Sequence, residues 1–307
     1  MTYISPMQIE VPAADPFRIE GPAVISFSGG RTSGYMLHRI LLAHGGTLPN
    51  DVLVCFANTG REMPATLEFV RDCGATWNTH INWLEYRYRP GHDGGRGAHD
   101  FVVVSHNEAS RDGEPFEDVI VARRGLLPNP TMRYCTAELK IRTMERFIKV
   151  QTGWKKWTQV VGLRADEPGR VFRATDEARQ KKQNAAGWVM CPLHEAGVTE
   201  ADVGAFWREQ PFDLRVAGKW EGNCDGCFLK SRSSISRMIS DHPDRMAWWT
   251  TQEEVAVARG VARDPAMARF RMDRSYAEMT DVVKRQGVLP YDVFEPEASC
   301  TEWACTD

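Results

Sequence analysis

The run Val24-Ile25-Ser26-Phe27-Ser28-Gly29-Gly30-Arg31-Thr32-Ser33-Gly34-Tyr35 constrains this chain more than any other stretch. The apolar segment from Ala23 to Phe27 has the length and β-branched content of a buried strand. It breaks into hydroxyls and two glycines, then resumes with helical spacing through Met36, Leu37, Ile40 and Leu41. A strand, a small-residue loop and a helix N-terminus together form an anion site. The glycines let backbone approach a phosphate, and the first N–H groups and the helix dipole point at it. Ser28, Thr32 and Ser33 add side-chain donors. The same residues also suit an ordinary strand-to-helix turn capped by Thr32 or Ser33. No lysine follows the glycines, so this is not the G-x-x-x-x-G-K-[ST] loop.

Further along, strand and helix patterns alternate. Strands are expected at 23–27, 51–57, 79–86 and 157–161, with helices near 33–43, 63–72 and 136–150. Such alternation predicts an α/β fold, doubly wound around a mostly parallel sheet, with ligands at the C-terminal strand ends. Residues 1–20 read as an N-terminal arm. Residues 21–190 read as a nucleotide-binding α/β domain, interrupted by an irregular insertion at 88–130 that has the character of a lid, a binding loop or a disordered segment. From 191 to 307 the sequence turns mainly helical and carries a cysteine pair, and the Trp248-Trp249 run reads as core.

A net charge of −3 gives no general attraction to nucleic acid or anionic membrane. No apolar run approaches a membrane span, and Met1 to Glu20 has neither the basic start nor the apolar core of a secretory leader, so a cytoplasmic location is expected. In that setting the eight cysteines point to metal or redox chemistry rather than a disulfide frame. Cys55 and Cys73 fall within a strand and a helix pattern and read as small core residues.

Ser28-Gly29-Gly30-Arg31-Thr32-Ser33 resembles the PP-loop, S-G-G-x-x-[ST], of ATP pyrophosphatases and of the phosphoadenosine phosphosulfate (PAPS) reductase family. Other segments resemble that family in the same order. Asn58-Thr59-Gly60-Arg61-Glu62 is similar to its D-T-G-x-x segment, with asparagine for aspartate. Arg133 to Lys140 is similar to R-x-C-x-x-x-x-K, and Gly162-Leu163-Arg164 through Glu167, Arg170 and Arg173 to the G-[IL]-R segment. Cys191-Pro192-Leu193-His194 with Asp202-Val203, and Gly222 to Cys227, complete the series. The resemblance covers roughly residues 21–235 and implies a Rossmann-like PP-loop fold that binds an adenine nucleotide.

In that reading Ser26, Ser28, Gly29, Gly30, Arg31, Thr32 and Ser33 surround the phosphates, with Gly162, Arg164 and Arg170, just after a later strand, in reach of them. Lys140 and Arg164 are the cations for catalysis. Asn58, Thr59 and Gly60 are placed to meet the ribose or adenine edge, and Asp166 and Glu167 offer oxygen ligands for magnesium.

Cys224-x-x-Cys227 spaces two thiolates to grip one metal. Relatives that act on adenosine phosphosulfate (APS) hold a 4Fe–4S cluster through an adjacent cysteine pair and a later C-x-x-C. Here Cys135 matches the first of that pair and Thr136 replaces the second. The set Cys135, Cys191, Cys224 and Cys227 is the expected ligand group, for a 4Fe–4S cluster or alternatively zinc. Reductases of the family also use a C-terminal E-C-G-x-H segment, which is missing here; Cys300 is the nearest counterpart, with Cys305 close by.

The activity these segments imply is cleavage of ATP with Mg²⁺ to adenylylate an acceptor, a nucleic acid or a small molecule, for iron–sulfur-assisted sulfur transfer from a sulfur donor. The alternative is reduction of PAPS or APS to sulfite with a thioredoxin-like reductant. A third is a non-catalytic nucleotide- or nucleic-acid-binding protein, in which the 90–97 segment, Arg123-Arg124, Lys155-Lys156, Trp154 and Trp157 make the contact. A homo-oligomer is compatible with any of these.

Overall fold

The structure, a computed structural model, describes residues 15–92, 97–176, 187–262 and 268–288. Its centre is a six-stranded sheet in the order β4-β3-β2-β1-β5-β6. The strands are β1 (Ala23–Ser26), β2 (Val52–Asn58), β3 (Ile81–Arg89), β4 (Ala98–Val104), β5 (Thr158–Val160) and β6 (Val189–Met190). All neighbours are parallel except β4, which runs antiparallel to β3 from Trp83↔Val104 to Arg89↔Ala98.

The chain steps outward from β1 to β2 and β3, then returns to place β5 on β1's other side. The strand order therefore reverses at β1/β5, and a crevice opens beyond the carboxyl ends of those strands.

Alternation along the strands explains why both faces are covered. Ala23, Ile25, Val54 and Phe56 pack with Met36, Leu37 and Ile40 of α1 (Arg31–Ala43) and Leu67 and Val70 of α2 (Pro64–Thr76). The intervening Val24, Cys55, Ala57 and Leu84 pack with Met144, Phe147 and Ile148 of α4 (Thr143–Thr152) on the opposite face. Residues of period two facing alternate sides are what a parallel sheet buried on both faces requires. Cys55 and Cys73 lie in these cores, as small apolar residues do.

The 88–130 segment is more ordered than its composition suggests. It supplies the edge strand β4 and helix α3 (Glu114–Ala122). Phe116, Val119 and Ile120 of α3 pack with Ile235 and Met238 of α8 (Arg232–Asp241), Trp249 of α9 (Pro243–Ala258) and Tyr276 of α10 (Tyr276–Gln286). Short helices α5 (Pro168–Thr175), α6 (Pro192–Glu195) and α7 (Glu200–Arg208) precede these. Trp207 of α7 joins the sheet core instead, its ring 2.7 Å from where a Cβ on Gly34 would stand. The change in character near 190 is thus one of secondary structure: the helices that follow complete two cores begun earlier in the chain. Among the described residues no helix is long and apolar enough to cross a membrane.

Residues 136–150 were expected as one helix. The first part, Thr136–Arg142, is a π-helix, and Thr143 Oγ1 donates to Glu138 O at 2.8 Å as the helix tightens into α4. Such wide turns recur at functional sites because they re-aim a side chain; here the turn carries Lys140.

Candidate functional site

A cavity of about 580 Å³ lies beyond β1 and β5. One wall is the Ser28–Thr32 loop, which passes from β1 into α1 with Gly30 at the N-cap and no side chain capping the helix. The first N–H groups of α1 therefore have no side-chain cap, the arrangement that an anion site uses.

Side chains fix the loop from behind. Ser33, fully buried, accepts from the Ser28 N–H at 3.2 Å, lies 2.9 Å from Ser28 Oγ, and donates to Gly30 O at 3.0 Å. Ser33 thus closes the turn and does not line the cavity. Gly29 has φ +82°, and a Cβ there would stand 2.7 Å from Thr66 Cγ2. Both facts require glycine. Gly162 backs the loop from β5, its missing Cβ leaving room for Ser33 Cα at 3.3 Å.

Opposite the loop stand the cations. Arg164 donates through Nη1 to Thr32 Oγ1 at 3.1 Å and through Nε to Asp166 at 2.9 Å. Glu167 accepts from the Arg164 N–H at 3.0 Å and pairs with Arg170 through its other oxygen. Asp166 also accepts from the Glu200 N–H at 3.1 Å. Burial alone would raise the Asp166 carboxyl, but that N–H and the Arg164 guanidinium hold it below its ordinary range. Both acids, expected as magnesium ligands, are turned to arginines and set their positions.

Lys140 reaches the cavity from the π-helix, and Lys219 and Lys230 from the C-terminal half. Lys219 pairs with Glu200 at 2.8 Å; Lys230 donates to the carbonyls of Trp220 and Asp225. Six basic side chains line the space against three carboxylates, Glu62, Glu167 and Glu200. An anion gains from that balance in a partly closed crevice. Val203, Leu214, Val216 and Leu229 supply an apolar stretch of wall.

Several expected residues take other roles. Ser26 accepts from Gln159 Nε2 within the sheet. The Arg31 guanidinium turns to Asp213, with two contacts of 2.7 Å. Asn58 is fully buried, donating to Glu85 Oε1 at 2.7 Å and Ser110 O at 2.9 Å and accepting from the Gly60 N–H at 3.0 Å. Thr59 is buried as well, and Gly60 packs against Gly113 and Pro115. This loop reaches the cavity through Glu62 instead.

The four expected thiol ligands are not brought together. Cys135 and Cys224 pack on the α3/α8/α9 core, and Cys227 lines the cavity. Cys191 lies in a separate small cluster with Val161, Leu163, Val171 and Ala174, where burial pushes its thiol up to about 12. Among the described residues no group of three or more His, Cys, Asp or Glu side chains is gathered to hold a metal ion. A four-thiolate group does not fit this arrangement. Cys300 and Cys305 lie outside the described residues, as do residues 93–96 of the 90–97 segment.

Lys219, Lys230 and Glu62 were missed as site residues. Lys219 and Lys230 flank the C-x-x-C, and their role depends on how the C-terminal half folds back, which no local pattern states.

No family model matches the chain. It is similar to the "Uncharacterized nin region protein ORF290" of Escherichia phage lambda, 28% identical over 218 residues, which cover 71% of this chain and 69% of that protein.

Proposed function

We propose that this chain is a PP-loop enzyme that binds an adenine nucleotide in the cavity beyond β1 and β5 and cleaves ATP between its α- and β-phosphates, adenylylating an acceptor and releasing pyrophosphate. One observation carries the reading: an uncapped glycine loop at the switch point of a doubly wound sheet, faced by Arg164, Arg170 and Lys140. The loop N–H groups and Ser28 would hold phosphate oxygens. Arg164, held by Thr32 and Asp166, and Lys140 would offset charge that builds on the phosphates as the bond breaks. The apolar wall of Val203, Leu214 and Val216 suits a base. Magnesium, when bound with ATP, would supply further charge neutralisation. The reading stops at activation of the acceptor: with Cys191 set apart, no sulfur step is routed through four thiols.

The test is ATP binding by calorimetry with Mg²⁺, followed by pyrophosphate release. Arg164→Ala should weaken ATP binding by about tenfold or more, as loss of a charge-assisted contact does. Failure of wild type to bind ATP would overturn the reading. A second reading, reduction of PAPS or APS, is favoured by Cys227, a thiol on the cavity wall. Sulfite release from PAPS in the presence of a dithiol, with no pyrophosphate from ATP, would select it.

A further inference from the structure

Glu62 lines the cavity with its side chain only 3% exposed, and its two oxygens have unlike surroundings. Oε2 accepts from the Thr59 N–H and from Thr59 Oγ1, both at 2.9 Å. Oε1 is buried and accepts no hydrogen bond from any described residue. Lys140 Nζ stands 3.9 Å from it, beyond hydrogen-bond reach. The backbone around Glu62 is held too: its carbonyl accepts from Arg245 Nη2 at 2.9 Å, and it bridges to Cys224. The carboxylate is therefore fixed, with one oxygen lacking a donor. Leaving such an oxygen unmet costs free energy, so its partner is to be sought in the ligand.

The ligand group must be a donor. Phosphate oxygens are acceptors, and a second cation would sit against the Lys140 ammonium. An O–H or N–H fits. Position narrows the choice. Glu62 follows β2, the neighbour of the strand that feeds the phosphate loop, and one turn further on Thr66 touches that loop at Gly29. In dinucleotide-binding doubly wound folds an acid past the second strand takes the sugar hydroxyl of a nucleotide whose phosphates lie at the first, and Glu62 holds the corresponding place.

We infer that Glu62 Oε1 accepts a hydrogen bond from a ribose hydroxyl of the bound nucleotide, with Thr59 aiming the carboxylate. The inference rests on the nucleotide reading above and assigns its sugar subsite. It also explains why Asn58 and Thr59, expected at the sugar, are buried: they shape the loop and Glu62 makes the contact.

The test compares ATP with 2′,3′-dideoxyATP, and with each monodeoxy form, on wild type, Glu62→Gln and Thr59→Val. In Glu62→Gln the amide oxygen can take the Thr59 donors, which turns the NH₂ toward the ribose. Inorganic tripolyphosphate, which has no sugar, reports whether the phosphate end is intact. Wild type should prefer ATP over the dideoxy form by about tenfold or more, the range for a hydrogen bond to a charged group. That ratio should fall to near one in Glu62→Gln while tripolyphosphate still binds. Thr59→Val keeps the carboxylate but frees it, and should lower the ratio part-way; it serves as the readout if Glu62→Gln does not fold. Equal binding of ATP and dideoxyATP by wild type, or an unchanged ratio in Glu62→Gln, overturns the inference and leaves the nucleotide reading standing. So does a preference for ATP over inosine triphosphate that Glu62→Gln removes while leaving the ATP-to-dideoxyATP ratio unchanged, since that places Glu62 at the base amine. If ATP does not bind at all, both fall together.

Discussion

Arg61 Nη2 lies 2.6 Å from Asp225 Oδ2, and both side chains are buried, at 4% and 0% exposure. The pair joins the loop after β2 to the C-x-x-C turn across more than half the chain. Arg245 Nε donates to the same Asp225 oxygen at 2.8 Å, and Trp249 Nε1 and the Gly226 N–H donate to the other, each at 2.7 Å. Arg61 also donates to the Arg245 carbonyl at 2.7 Å. One carboxylate thus holds together the two segments that bring Glu62, Asn223 and Cys227 to the cavity. Asp225→Asn keeps the volume but leaves two guanidiniums facing a neutral group. Breaking one side of a buried ion pair costs about 3–5 kcal/mol. Urea denaturation should show a loss of that size; a loss under about 1 kcal/mol, the surface-pair range, would mean that the pair is open to solvent.

Gly29→Ala tests the glycine loop after β1. Alanine at φ +82° is strained, and its methyl would meet Thr66 Cγ2 at 2.7 Å. Thr66 is buried on α2 and cannot move aside. The two effects together should cost about 2–4 kcal/mol. Adding Thr66→Ser removes the methyl and should restore the steric share alone. Denaturation midpoints of the single and double variants separate the two contributions. Full recovery in the double variant would assign the whole cost to the clash and none to the backbone.

Glu253 should make stability fall with rising pH. Its oxygens accept the Phe270 N–H at 3.0 Å and the Tyr276 N–H at 2.8 Å. Burial outweighs those donors and pushes the carboxyl up to about 7. An unfolded glutamate titrates near 4.3. Between those values the folded protein keeps a proton that the unfolded chain has released, so stability declines across that window and levels off above it. The decline attributable to this residue is on the order of 3–4 kcal/mol. Glu253→Gln lowers the baseline, because its NH₂ faces one of the backbone donors, yet it should remove this slope. Subtracting the variant's profile from wild type between pH 4.5 and 8 cancels the histidines common to both. A flat difference would place the Glu253 carboxyl at its ordinary value.

Much of the frame could be read from residue spacing, and the reasons are local. β1, β2 and β3 are buried runs bounded by turns, and α1 shows its apolar stripe from Met36 to Leu41, so periodicity alone locates them. β4 was harder. Its residues are only partly buried on an antiparallel edge, and the surrounding glycines give the composition of a loop. The π-helix at 136–142 has no signature of its own, because its residues also suit an ordinary helix. At the cavity, the positions of the Ser28–Thr32 loop and Arg164 were legible because each comes soon after a strand of the sheet. Glu62 was not. Spacing puts the segment 58–62 at a strand end, but which of its polar side chains faces the cavity depends on Glu85 and Ser110 engaging Asn58, and those contacts are long-range. For the thiols, spacing gives the C-x-x-C turn, while the packing of Cys191 apart from it, with Val161 and Ala174, is a property of the whole fold.

That separation leads to the last prediction. Cys191 is 2% exposed among Val161, Leu163, Val171 and Ala174, and burial first, then the nearby Glu195 and Glu167, push its thiol up to about 12. A thiol so placed stays protonated at neutral pH and is neither a ready nucleophile nor a ready metal ligand. Cys191→Ala should therefore purify anaerobically with the same iron or zinc content per chain as wild type, measured beside Cys224→Ala and Cys227→Ala. In the native protein Cys191 should also resist iodoacetamide until denaturant is added, which mass spectrometry of the labelled peptide reads directly. Loss of bound metal on changing Cys191 alone would show that the thiol joins Cys135, Cys224 and Cys227 in one site. The β6–α6 turn would then have to lie elsewhere than in the Val161–Ala174 cluster.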